Sequence, residues 1–155
     1  MIGYIEGNLL EAKNDIICHQ VNCRGSYGAG LAKQIATKYP KSKHDYFSFC
    51  DGKRPKDLLG EVLITKTDVF YIAHLFGQNY YGDYGIYMER LGRQTIYPAL
   101  ECALRKLKNI YPNKSYGFPY LMGCGLAGGK WSVVRGLIDR IFKENDVTIY
   151  HYKRK

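Results

Sequence analysis

A chain of 155 residues with 46% hydrophobic content is long enough for one domain with a sizeable core and too short for two, so a single domain over residues 1–155 is expected. Twenty-three Lys and Arg against fourteen Asp and Glu leave a net charge of +9, which favours anionic partners such as nucleotides, nucleic acid or acidic surfaces without choosing among them. The cysteines, Cys18, Cys23, Cys50, Cys102 and Cys124, are odd in number, scattered and without a CxxC pair, as expected of reduced thiols, and no apolar run approaches the length of a membrane span.

In chain order, Ile16 to Val21 is the first short apolar run of the kind found in strands covered on both faces. A glycine-rich stretch follows, then a helical pattern at Leu31, Ile35 and Tyr39, closed by Pro40. Val62 to Ile64 and Val69 to Phe76 read as further strands. The segment "FGQNYYGDYGIYMERLGRQTIYPAL" leads into a second helix with an apolar face at Ile96, Leu100, Leu104 and Leu107, followed by Pro112. A third helix carries Val133, Val134, Leu137, Ile138, Ile141 and Phe142, and Val147 to Tyr152 is strand-like again. Alternating strands and helices predict an α/β fold with a mixed sheet. The terminal Lys153-Arg154-Lys155 reads as a frayed, solvated end.

Two glycine-rich stretches each open a helix. In "MGCGLAGGKW" the spacing Gly123-x-Gly125-x-x-Gly128 allows backbone to approach phosphate closely. A dinucleotide fingerprint needs an acidic residue about 20 positions on, where this chain has Thr148 and Tyr150. A P-loop fails because Cys124 stands where its first glycine belongs and Trp131 replaces the magnesium-binding hydroxyl. In "HQVNCRGSYGAGLAKQI" an apolar strand, Asn22, Gly25, Gly28 and Gly30 again precede a helix. Loops leaving the carboxyl ends of neighbouring strands converge on one crevice, so the pair can hold one diphosphate on helix N-termini.

Together, "EGNLLEAKNDIICHQVNCRGSYGAGLAKQIATKYP" and "LMGCGLAGGKWSVVRGLI" resemble a macrodomain, the module that binds ADP-ribose. The resemblance is to the branch holding ADP-ribose-1″-phosphate phosphatases and terminal ADP-ribose glycohydrolases, and it spans nearly the whole chain. It implies a three-layer α/β/α sandwich with a central mixed sheet. The family's turn that meets the adenine amino group corresponds to Asn8 and Leu9, with an amide in place of a carboxylate. Asn22 corresponds to the asparagine facing the distal ribose. The first phosphate loop is Gly28, Ala29, Gly30 and Leu31, and the second is Gly123, Cys124, Gly125, Leu126, Ala127 and Gly128. Tyr150 reads either as a neighbour of adenine or as core.

For catalysis, the glycohydrolase branch uses a lysine and an aspartate where this chain has Gln78 and Ala127, which argues against a lysyl-ribose intermediate. The phosphatase-like relatives carry a histidine in the first core strand, and His19 matches it, as a general acid, a water-orienting group or a buried structural residue. His74 reads as structural. The implied function is binding of ADP-ribose with hydrolysis of a small derivative, above all ADP-ribose-1″-phosphate, with no cofactor and no metal. Cys18, His19 and Cys23 have no second pair to complete a zinc site. The alternatives are a non-catalytic ADP-ribose reader and an ADP-ribosyl hydrolase or deacetylase using a substrate-held water. The 77–93 segment reads as the variable edge of the pocket, a loop that could close over the distal ribose with Tyr80, Tyr81 or Asp83 reaching substrate and Arg93 near a phosphate. Its interleaved aromatic and basic residues also suit single-stranded nucleic acid, which ranks lower because no RNA-binding motif is present. Reduced thiols and the lack of an apolar leader predict a cytoplasmic protein without membrane contact.

Overall fold

The computed structural model describes residues 2–81 and 94–152. Asp83 and Arg93, and the basic end at 153–155, lie outside the described residues. In chain order the elements are β1 (Ile2–Glu6), a 3-10 turn (Leu9–Glu11), β2 (Ile16–Val21), α1 (Gly30–Lys38), α2 (Pro40–Cys50), α3 (Pro55–Leu58), β3 (Val62–Lys66), β4 (Tyr71–Phe76), α4 (Tyr97–Ile110), β5 (Tyr116–Pro119), α5 (Trp131–Ile141) and β6 (Val147–His151). Six strands form one sheet in the order β1-β6-β5-β2-β4-β3, with β3 antiparallel to β4 and the other pairings parallel. Helices cover both faces, giving an α/β/α sandwich with a mixed sheet.

The apolar runs of β2 and β4 follow from their central place, where both faces are covered. On one face Cys18, Ala73, Leu75 and Phe118 pack against Leu100, Leu104 and Leu107 of α4 and Val134, Ile138 and Ile141 of α5. Each such aliphatic side chain, fully buried, contributes about 1.5–3 kcal/mol. On the other face Ile17 and Ile72 meet Leu9 and Ile35, while Val21 and Phe76 meet Tyr27, Tyr46 and Leu58.

Three elements differ from the expectation. Pro40 does not simply close a helix: α1 ends as Tyr39 N–H donates to Ile35 O, and Pro40 begins α2, a position where its missing N–H costs nothing. Only Ser42 and Tyr46 of α2 are buried, so its sequence shows no apolar stripe. Val69 is 66% exposed in a turn tied by Thr67, and β4 begins at Tyr71. β1, mostly exposed at the sheet edge, and the four-residue β5 are too short or too polar to register as hydrophobic runs.

Candidate functional site

Parallel β2 and β5 are neighbours, so the loops leaving their carboxyl ends stand side by side. They enclose a cavity of about 520 Å³. From the first loop Asn22, Ser26, Tyr27, Gly28, Ala29, Gly30, Leu31 and Ala32 line it; from the second come Leu121, Met122, Gly123, Gly125, Leu126 and Ala127. The amides of Gly30, Leu31 and Ala32, in the first turn of α1, meet no acceptor among the described residues. Those of Gly125, Leu126 and Ala127 do not either. Two sets of unmatched N–H groups therefore border one space.

Asn22 shapes the first loop. Its Oδ1 accepts from Arg24 N–H (2.9 Å), Ser26 N–H (3.3 Å) and the Tyr46 hydroxyl (2.9 Å), while Nδ2 donates to Ser26 O (2.7 Å). The Tyr46 hydroxyl also lies 2.7 Å from Asn22 O. Asn22 borders the cavity but is 8% exposed, and its amide is already engaged in the turn.

Glycine geometry shapes the second loop. A Cβ on Gly129 would lie 2.7 Å from Gly123 O, and Gly123 itself has φ +73°. The Gly123 carbonyl accepts from Thr95 Oγ1 (2.6 Å) and Gly129 N–H (2.9 Å), and Ala127 O accepts from the amides of Gln94 and Thr95. Cys124 and Gly128 stand off the cavity wall: the Cys124 thiol turns to Met122 O, and Gly128 N–H is bound to Gly125 O. Leu121, at φ +63°, is the single non-glycine residue with positive φ among those described, and its side chain is 44% exposed at the cavity.

The cavity continues into a second space of about 380 Å³ through Gly30, Leu31, Pro119 and Tyr120, which border both. Asn8, Leu9 and Tyr150 line this extension. Asn8 Oδ1 caps the 3-10 turn through Leu10 N–H (3.0 Å), Leu9 is 4% exposed, and the Tyr150 hydroxyl donates to Asn14 Oδ1 (2.6 Å). Tyr120, ring to ring with Trp131 and His151, is the wall shared by both spaces. Sequence reading passed over it, since one tyrosine in "GFPYLM" carries no pattern. Gln20 was likewise hidden: its amide donates to Oε1 of Gln78, the residue at the lysine position of the glycohydrolase branch (2.8 Å), and to Thr95 Oγ1 (2.9 Å) beneath the second loop.

His19 borders the cavity yet is 2% exposed. Its Nε2 lies 2.9 Å from His74 Nδ1, directly across the β2–β4 register, and His74 Nε2 lies 2.9 Å from Thr65 Oγ1. The Tyr27 hydroxyl of the first loop sits 3.3 Å from the same His19 nitrogen. Burial pushes the His19 pKa down to about 3; burial, then the neighbouring His19, holds His74 well below its usual value. Both rings are neutral at pH 7. A neutral His19 carries no imidazolium proton at neutral pH, and its Nε2 faces the Tyr27 hydroxyl of the first loop and His74 across the sheet, a geometry suited to positioning the first loop.

Apart from the neutral His19, the cavity's described lining carries no Lys, Arg, Asp or Glu. What it offers is main-chain N–H, amides and tyrosines. Among the described residues no group of three or more His, Cys, Asp or Glu could hold a metal ion, and no helix is long and apolar enough to cross a membrane.

No family model matches the chain. It is 34% identical over 114 residues to the ADP-ribose 1″-phosphate phosphatase of Saccharomyces cerevisiae (strain YJM789), over 70% of this chain and 61% of that protein, so the match spans less than two thirds of that relative's length. It is 28% identical over 155 residues to the ADP-ribose 1″-phosphate phosphatase of Lodderomyces elongisporus, over 90% of this chain and 92% of that one. Among solved structures, a macrodomain protein from Streptomyces coelicolor has a TM-score of 0.76 at 22% identity, over 99% of this chain and 100% of that one. At that identity the likeness is one of fold.

Proposed function

We propose that this chain is a macrodomain similar to the ADP-ribose 1″-phosphate phosphatases it resembles, and that it binds ADP-ribose and hydrolyses ADP-ribose-1″-phosphate to ADP-ribose and phosphate. Residues 1–155 act as one domain, in the cytoplasm. The observation that carries this reading is the pair of unmatched amide sets, at Gly30–Ala32 and Gly125–Ala127, that border one cavity. A diphosphate between them meets N–H donors and the positive end of α1. Adenine then occupies the extension beside Asn8, Leu9 and Tyr150, and the distal ribose lies towards Asn22 and the second loop.

In the hydrolytic step the oxygen of water bonds to phosphorus, and the ribose oxygen leaves with the bonding electron pair and takes a proton. Amides of the second loop hold the negative charge that builds on the phosphoryl oxygens, a contribution needing no metal. His19 keeps Tyr27, and with it the first loop, in place. Cys124 and Gly128 support the second loop's path, whereas Gly123, Gly125, Leu126 and Ala127 meet the ligand. A second reading, a reader that binds ADP-ribose without turnover, is favoured by one observation: apart from neutral His19, the described lining supplies no acid or base.

Calorimetry with ADP-ribose followed by phosphate release from ADP-ribose-1″-phosphate separates the two. Micromolar binding with release is expected. Binding without release leaves the reader, and no binding at millimolar ADP-ribose removes both. His19→Ala should lower the melting temperature and reduce binding and turnover together. A loss of turnover alone would return the histidine to the chemical step.

A further inference from the structure

Two tight turns lead from β5 into the second loop: Pro119 O accepts from Met122 N–H (3.2 Å), and Leu121 O accepts from Cys124 N–H (2.9 Å). The third residue of each turn has positive φ, Leu121 at +63° and Gly123 at +73°. Such a position calls for glycine, because a Cβ there crowds the backbone. The second turn has its glycine, and the first has a leucine. Core packing does not offset that strain. Met122 is part of the core and Tyr120 packs against it, whereas Leu121 between them belongs to no core cluster, and its side chain is 44% exposed on the cavity wall. A strained residue whose side chain supports nothing in the free protein points to use by a ligand.

The cavity itself shows what that use is. Its described lining carries no Lys or Arg, so a diphosphate held there depends on main-chain N–H groups and the positive end of α1. Dipolar donors hold an anion well only where water is kept away, since the high dielectric of water weakens each of them. Leu121 lines the same cavity as the Gly125–Ala127 amides, four residues before the first of them, and does not line the extension beside Asn8 and Tyr150. We propose that Leu121 is a binding residue for the diphosphate: the strained turn holds its apolar side chain over the phosphates and keeps water off them, so that uncharged donors suffice. This deepens the reading of the glycine-loop cavity as an ADP-ribose site and rests on it. Glycine at 121 would leave the phosphates wetted, and a β-branched residue would not fit the positive φ. Leucine meets the need at the cost of backbone strain.

The test measures ADP-ribose, ADP and adenosine binding by calorimetry in three variants. Leu121→Asn tolerates the positive φ but is polar, Leu121→Gly removes strain and cover together, and Leu121→Met keeps an apolar side chain of like size. The Asn and Gly variants should bind ADP-ribose and ADP about tenfold more weakly, bind adenosine as the parent does, and lose affinity more steeply than the parent between about 0.1 and 1 M salt, because a wetted phosphate is screened more than a covered one. The Met variant should retain most of the parent's affinity. Leu121→Asn should not lower the melting temperature of the free protein. Unchanged ADP-ribose affinity in the Asn and Gly variants overturns the proposal, as does a Met variant as weak as the Asn one or a salt dependence equal to the parent's. A loss confined to ADP-ribose places Leu121 at the distal ribose, an equal loss for adenosine places it at the base, and a fall in melting temperature that accounts for the lost binding makes it structural; each overturns the proposal. Absent ADP-ribose binding in the parent shows before any variant is made, and overturns the reading of the cavity together with this inference.

Discussion

The two glycine loops border the same cavity but are built by different means. The first is braced by buried polar side chains: Tyr46 on Asn22, and Tyr27 on the His19–His74–Thr65 chain. The second is braced by main chain and glycine, with Gly129 N–H on Gly123 O and no room for a Cβ between them. One loop's shape thus depends on protonation state and on hydroxyls, and the other's on backbone close approach. Substitutions and pH should therefore act on them separately.

Acid should have the largest effect, and on the first loop. The folded His19 titrates at about 3 and an unfolded histidine near 6.5, so between those values the unfolded chain binds a proton that the folded chain refuses. Stability should be flat above pH 6.5 and fall as pH is lowered through the window, at up to about 1.4 kcal/mol per pH unit for His19 alone. His74, shifted the same way, adds to the slope. Urea midpoints between pH 6.5 and 5, before most carboxylates titrate, measure it. Midpoints that do not move would mean that the histidine pair is solvated.

Gly125→Val should come next. A Cβ at Gly125 meets no protein atom within 4 Å, so the new side chain enters the cavity and not the core. ADP-ribose affinity should fall about 100-fold, some 2.7 kcal/mol, with the melting temperature unchanged. Normal binding would show that the second loop does not touch the ligand.

Gly129→Ala tests the backbone bracing of the same loop. Its Cβ would press on Gly123 O, a cost of about 1–3 kcal/mol for overpacking, and stability and affinity should decline together. A variant as stable as the parent would show that the loop relaxes freely.

Tyr46→Phe sharpens the contrast at the smallest scale. Removing the hydroxyl deletes its bonds to Asn22 O and Oδ1 and should cost about 1 kcal/mol. Hydrogen exchange should accelerate at Arg24 and Ser26 but not at Gly128 and Gly129. Faster exchange in both loops would mean that they are one mechanical unit.

Sequence alone determined the apolar β2 and β4, the amphipathic α4 and α5 and the two glycine loops, because each is written in residues close together in the chain. It also placed Asn22, Gly30, Gly123 and Gly125 at one cavity, since loops after neighbouring parallel strands must meet. Tertiary structure decided what those residues are free to do. Asn22 is engaged by Tyr46, 24 positions away, His19 is paired with His74, 55 positions away, and Gln20 reaches Thr95, 75 positions away. β1 and β5 became strands because neighbouring strands offered hydrogen bonds, and the helix that begins at Pro40 buries Tyr46 against Phe76 of β4. Hydrophobic period is a local signal. The protonation of a buried imidazole, or the free valence of an amide, is set by partners that only the folded chain brings within about 3 Å.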